Sequence, residues 1–187
     1  MKKHFLKVLA IVMLGASSFT LTSCDEDTLG SLINVITNLI GQQGETYTYE
    51  TNGTVQWGPL ASGGGYKWNG NGRQLTATIP VTVNGQTANI TIPGFSTDGV
   101  AMTDVSLYYL PMNNTGSYTT LELGDNSTID GSITVGSTQL AASNVYMDNI
   151  RLTSTEIMIG TLDLYFGDNL DYCVHLTNIS GSVEATE

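Results

Sequence analysis

Basic side chains are scarce in this sequence. Six lysines and arginines stand against seventeen aspartates and glutamates, for a formal net charge of −11. Lys2, Lys3 and Lys7 crowd the start, which leaves only Lys67, Arg73 and Arg151 for the remainder. A chain this acidic repels phosphate backbones, so nucleic acid is excluded as a partner, and electrostatic attachment to anionic lipid is disfavoured. Cysteine and histidine are rarer still: Cys24 and Cys173, His4 and His175. A structural zinc site built from four Cys and His ligands cannot be assembled beyond the first residues. Long apolar runs are also missing. The stretch from Val8 to Leu21 is interrupted by Gly15, Ala16, Ser17 and Ser18, and it falls short of the roughly 20 apolar residues needed to cross a bilayer.

The patterns that carry catalysis are equally thin. There is no Gly-x-Ser-x-Gly elbow, and the one base available beyond the leader is His175. Cys173 and His175 are two apart on an expected strand, which separates them by about 7 Å; a nucleophile and its base need about 3 Å. Asp163 and Asp171 are expected on the wet face of a sheet, without the cleft that a pair of catalytic carboxylates requires. Asp125–Gly131 has acids but not the alternation and distant bidentate Glu of a calcium loop. The expectation is a non-enzymatic protein without cofactor or metal.

What is present begins with a leader. Three lysines precede a short apolar segment that ends in small residues, the pattern of a secretory signal peptide over 1–23. Leu21-Thr22-Ser23-Cys24 resembles the lipobox of bacterial lipoproteins. That resemblance implies cleavage before Cys24 and lipid on its thiol; two or three acyl chains anchor durably where one does not. With Cys24 so used, Cys173 is the lone thiol and no internal disulfide forms. Asp25, Glu26 and Asp27 follow at once, forming with Thr28 an acidic tether over 24–28. They resemble the acidic cluster that marks lipoproteins of the Bacteroidota for the outer face of the outer membrane, with the periplasmic face as the alternative. Asp27-Thr28-Leu29 resembles the O-glycosylation acceptor of that group, with Thr28 as acceptor.

From Leu29 to Ile40 the residues Leu29, Leu32, Ile33, Ile36, Leu39 and Ile40 recur at helical spacing. This predicts an amphipathic helix that packs on the domain or rests on the lipid surface, with a linker to residue 44. From Glu45 to the end the period becomes two, and Thr, Val, Ile and Tyr dominate. Hairpins are predicted at Asn84-Gly85, at Asn52-Gly53, at Gly136-Ser137 and at Gly167-Asp168-Asn169. In the last, Phe166 opposite Leu170 sets Leu162, Leu164, Phe166, Tyr172 and Val174 on one face. Asp163, Tyr165, Asp171, Cys173 and His175 then take the other. Pro80 and Pro93 mark bulges or strand ends. About ten short strands at this spacing predict an all-β antiparallel barrel or sandwich over 45–187.

Lipobox, acidic tether and Thr/Val/Ile meander together resemble the small calycin-like β-barrel lipoproteins of the Bacteroidota. Leu75–Phe95 and Ser127–Ser180 carry the likeness. It implies a barrel with a cavity for a small apolar or amphipathic ligand. The residues themselves point to one further place. Gly58–Gly72 is too glycine-rich for a strand and long for a loop, and such loops are often functional. Trp57, Tyr66 and Trp68 lie on or beside it, rings suited to stacking on a sugar or closing a barrel mouth. They are the expected contacts for a small hydrophobic ligand or a glycan. An accessory protein of a cell-surface assembly, held to the membrane by its lipid, is the alternative.

Overall fold

A computed structural model describes residues 44–97 and 99–183. The leader, Cys24, the acidic tether and the expected helix over 29–40 lie outside the described residues. Twelve strands follow one another: β1 (Glu45–Pro59), β2 (Arg73–Asn84), β3 (Thr87–Ile92), β4 (Phe95–Thr97), β5 (Val100–Met102), β6 (Val105–Asn114), β7 (Thr119–Leu121), β8 (Thr128–Asp130), β9 (Ser132–Val135), β10 (Thr138–Leu152), β11 (Glu156–Phe166) and β12 (Tyr172–Val183). All pairings are antiparallel. Eight strands close a ring in the order β1-β2-β3-β6-β7-β10-β11-β12, with β12 returning to β1. The fold is a barrel and not a sandwich. The β12–β1 seam pairs ten residues of each strand, and closure removes the exposed edges that an open sheet would leave. A small second sheet, β4-β5-β9, hangs from the first part of β10, and β8 pairs with β6.

Alternation decides what fills the ring. Along β1, Tyr49, Thr51, Gly53, Val55 and Trp57 are buried while Glu50, Asn52 and Gln56 face out. The other strands do the same, so that Ile79, Val81, Ile90, Leu107, Ile159, Leu162, Leu164, Phe166, Val174 and Leu176 meet inside, each almost fully shielded. An eight-stranded barrel is just wide enough either to be filled by side chains or to hold one small ligand. These branched and aromatic residues fill it. Trp57 closes one end, 5.1 Å from Phe95 of β4. Tyr49 lies eight residues back, about 26 Å along the strand, and closes the other end. Its hydroxyl donates to the Thr153 carbonyl at 2.7 Å, and its ring stacks on Tyr47. A recess of about 60 Å³ beside Tyr47, Met112 and Leu152 has room for water but not for a ligand of the usual size.

Two local readings of the sequence need correction. Asn52-Gly53 is not a turn, because β1 runs straight through it. Gly53 marks a bulge instead. The register with β12 shifts between Asn52 and Thr54, Asn178 adopts φ 52°, and a Cβ on Gly53 would meet Ile179 Cγ1 at 2.6 Å. Close approach of a neighbouring strand, and not a reversal of the chain, is what needs glycine here. In the last hairpin, Phe166 pairs with Tyr172 and not with Leu170. The connection is five residues long, with Gly167 and Leu170 both at positive φ. The slip is two residues, so every side chain keeps its expected face. The hairpin at Gly136-Ser137 forms as expected, and the one expected at Asn84-Gly85 forms with Gly85-Gln86 as its loop, Asn84 pairing with Thr87. Pro80 sits in β2 where the ladder with β3 stops, and Pro93 follows the end of β3.

Candidate outer-wall site

The glycine-rich segment is ordered. After β1 ends at Pro59 the chain turns through 61–65, where Ala61 donates to Gly65 and Gly64 to Ala61. It then runs back along β1: Leu60 bridges Tyr66, Lys67 N donates to the Pro59 carbonyl, and Asn69 N donates to the Trp57 carbonyl. The Asn69 side chain returns a bond, its Oδ1 accepting from Trp57 N at 2.9 Å. This flap presses on the barrel at Gly58, where a Cβ would collide with the Lys67 carbonyl. Glycine at 58 is therefore a condition for the flap to close.

Register aligns the wall beneath it. One outward row reads Tyr146, Asp163, His175, Gln56 across β10, β11, β12 and β1. The next reads Asn144, Tyr165, Cys173, Gly58. The flap lays Tyr66 against Tyr165, with ring centroids 5.8 Å apart, and Trp68 against His175 at 5.3 Å. Tyr66 and Trp68 also contact each other, and the Tyr66 hydroxyl donates to the Leu170 carbonyl. His175 Nδ1 is hydrogen-bonded to Asp163 Oδ1, and the Tyr165 hydroxyl donates to Asp163 Oδ2 at 3.3 Å. Donation from Nδ1 to the carboxylate leaves Nε2 as the ring's remaining hydrogen-bonding atom.

Covering this wall changes its chemistry. Cys173 faces outward yet is only 1% exposed. Burial, helped by the Asp163 charge, pushes its thiol well above the ordinary range. A thiol held protonated is a poor nucleophile. The hydroxyls of Tyr66 and Tyr165 are raised too, in both cases first by burial and then by neighbouring acidic groups. At the outer limits of the wall two rings stay open, Trp68 at 37% and Tyr146 at 51% exposed. Between them lie the half-buried Asp163 and His175. The two strand spacings from His175 to Tyr146 span about 10 Å. Flat apolar faces flanking fixed polar groups suit a ligand with both apolar faces and hydroxyls.

The three aromatic residues expected to act together are thus divided. Tyr66 and Trp68 lie on the outer wall. Trp57 lies inside the barrel, 6% exposed, with the Arg73 guanidinium 5.2 Å from its ring centre. Sequence reasoning missed Tyr146, which lies eighty residues along the chain from the Tyr66 that it singled out. Continuing the alternation through Asn144, Tyr146 and Asp148 would have placed it. Asp125–Gly131 forms a turn, closed by Ser127 N on the Gly124 carbonyl, and then β8. Among the described residues no group of three or more His, Cys, Asp or Glu is placed to hold a metal ion. No family model, no curated protein and no solved structure matches the chain.

Proposed function

We propose that this chain is a non-catalytic, lipid-anchored extracytoplasmic protein of the calycin-like kind, and that it binds a glycan on the outer wall of its barrel. The observation that carries the reading is the pair of open rings, Trp68 and Tyr146, on either side of the hydrogen-bonded Asp163 and His175. Among the described residues the side chains that point into the ring are almost all fully shielded, which favours an outer site over an internal one. An aromatic and polar platform on a wall tied down by hydrogen bonds suits recognition of a sugar, and binding residues commonly sit on loops held by a rigid scaffold. Anchoring through Cys24, with Asp25, Glu26 and Asp27 directing display at the outer membrane surface and Thr28 as a glycan acceptor, completes the proposal. The filled barrel equally favours a second reading, an accessory subunit of a surface assembly that uses the same wall against protein.

The test is a panel of neutral and acidic oligo- and polysaccharides titrated against the lipid-free protein. Trp68→Ala and Tyr146→Ala are expected to weaken binding at least about tenfold each, a loss of about 1.4 kcal/mol. Binding that both variants leave unchanged, or no binding anywhere in the panel, would overturn the glycan reading in favour of the second.

A further inference from the structure

The same outer wall continues towards the opposite end of β1, β11 and β12, and there it carries a different chemistry. Arg151, Met158, Ser180 and Asn52 stand opposite one another in a row across β10, β11, β12 and β1. The adjacent row holds Glu156, Ser182 and Glu50. With Tyr118 from the segment before β7 they line a cleft of about 570 Å³, within the range that holds small ligands. Gly181 lies in its floor, and a Cβ there would collide with the Glu50 carbonyl.

Three charged side chains face this cleft without neutralising one another. The Arg151 guanidinium rests 4.7 Å from the Tyr118 ring centre, and among the described residues no carboxylate lies within ion-pairing distance of it. Glu50 and Glu156 likewise have no cationic partner. Strand geometry sets the Arg151 backbone about 8 Å diagonally from that of Glu156. Tyr118 holds the arginine in place by the attraction of a cation to a ring face. The hydroxyls of Ser180 and Ser182 lie between the charges. The Asn52 side-chain oxygen is occupied by the Thr76 hydroxyl at 3.0 Å, which leaves its NH₂ to donate.

Sign decides the ligand. A simple anion would gain Arg151 but meet two carboxylates and the field of a chain at −11. A simple cation would meet Arg151. A purely apolar molecule would bury charges without pairing them, which costs heavily. A molecule with both signs gains at each end, and a guanidinium pairs well with a carboxylate in a two-pronged geometry. We propose that this cleft binds a zwitterion of the class of an unblocked short peptide or free α-amino acid, its carboxylate on Arg151 and its ammonium on Glu156 or Glu50.

Four forms of trialanine, with alanine as a fifth arm, test this by calorimetric titration of the lipid-free protein: unblocked, N-acetylated, C-amidated and doubly blocked. The unblocked peptide should bind at one site, and either block should weaken it at least about tenfold. Arg151→Gln should abolish the preference for a free carboxylate alone. Glu50→Gln with Glu156→Gln should abolish the preference for a free amine alone. All are surface changes, and a thermal melt of each variant checks that it is folded. Alanine binding more tightly than trialanine would assign the free amino acid as the source. Absence of unblocked-peptide binding at millimolar concentration, equal binding of the doubly blocked form, or loss of binding in Trp68→Ala with Arg151→Gln unaffected would each overturn the proposal.

Discussion

At the scale of the residue, burial separates side chains that composition treats alike. Trp57 and Trp68 are eleven positions apart, yet one is a core ring under Phe95 and the other an open ring on His175. Trp57→Ala should leave a cavity at the barrel end and cost about 3–5 kcal/mol in a denaturant melt. Cys173 offers a second check. Buried under the flap and held protonated, it should resist iodoacetamide in the native protein and react fully in denaturant. Rapid labelling of the native protein at neutral pH would show that the flap does not cover the wall. Sequence alone placed Cys173 and His175 correctly on the outward face, since period two sets faces whatever the register. It could not foresee that an outward residue is buried, because the covering flap comes from a segment more than a hundred residues away.

At the scale of the element, glycine is the ambiguous letter. Asn84-Gly85 reverses the chain, and Gly85 adopts φ 65° as such turns need. Asn52-Gly53 has the same letters and continues a strand, because what matters there is the close passage of Ile179. Only the partner strand distinguishes the two, and a partner some 125 residues away is invisible to local pattern. The same holds for Gly58. Gly58→Ala should displace the flap, exposing Cys173 to iodoacetamide and red-shifting Trp68 emission while the barrel stays folded. Gly53→Val, which overpacks the β1–β12 seam against Ile179, should instead cost about 1–3 kcal/mol of global stability. A Gly58→Ala protein with native Cys173 protection would mean that the flap tolerates a side chain at that contact.

At the scale of the whole molecule, the all-β antiparallel class follows from the hairpin rhythm that the sequence displays, whereas the choice of barrel over sandwich depends on the β10–β11 and β12–β1 seams between long strands. Burial of Tyr49 in the barrel, and of Tyr165 and Cys173 under the flap, also makes the fold sensitive to alkali. Burial raises the Tyr49 hydroxyl from 10.0 to about 12, and it raises Tyr165 and Cys173 in the same direction. The unfolded chain releases these protons first. Stability is therefore fully present below the unfolded values and is lost as pH rises through the folded ones. For Tyr49 the loss should approach about 2–3 kcal/mol between pH 10 and 12. Tyr49→Phe, which also forfeits the bond to Thr153, should melt lower near neutral pH but show a shallower alkaline decline.

The proposed binding of a glycan outside the barrel rests on Trp68 being a platform ring and not a core ring. Its thermal melt after substitution tests that most directly. Trp68→Ala is expected to unfold within about 1 kcal/mol of the parent, because an open ring leaves no sealed cavity when it is removed. A loss of about 3–5 kcal/mol, the cost of deleting a buried aromatic ring, would contradict it and return Trp68 to the core.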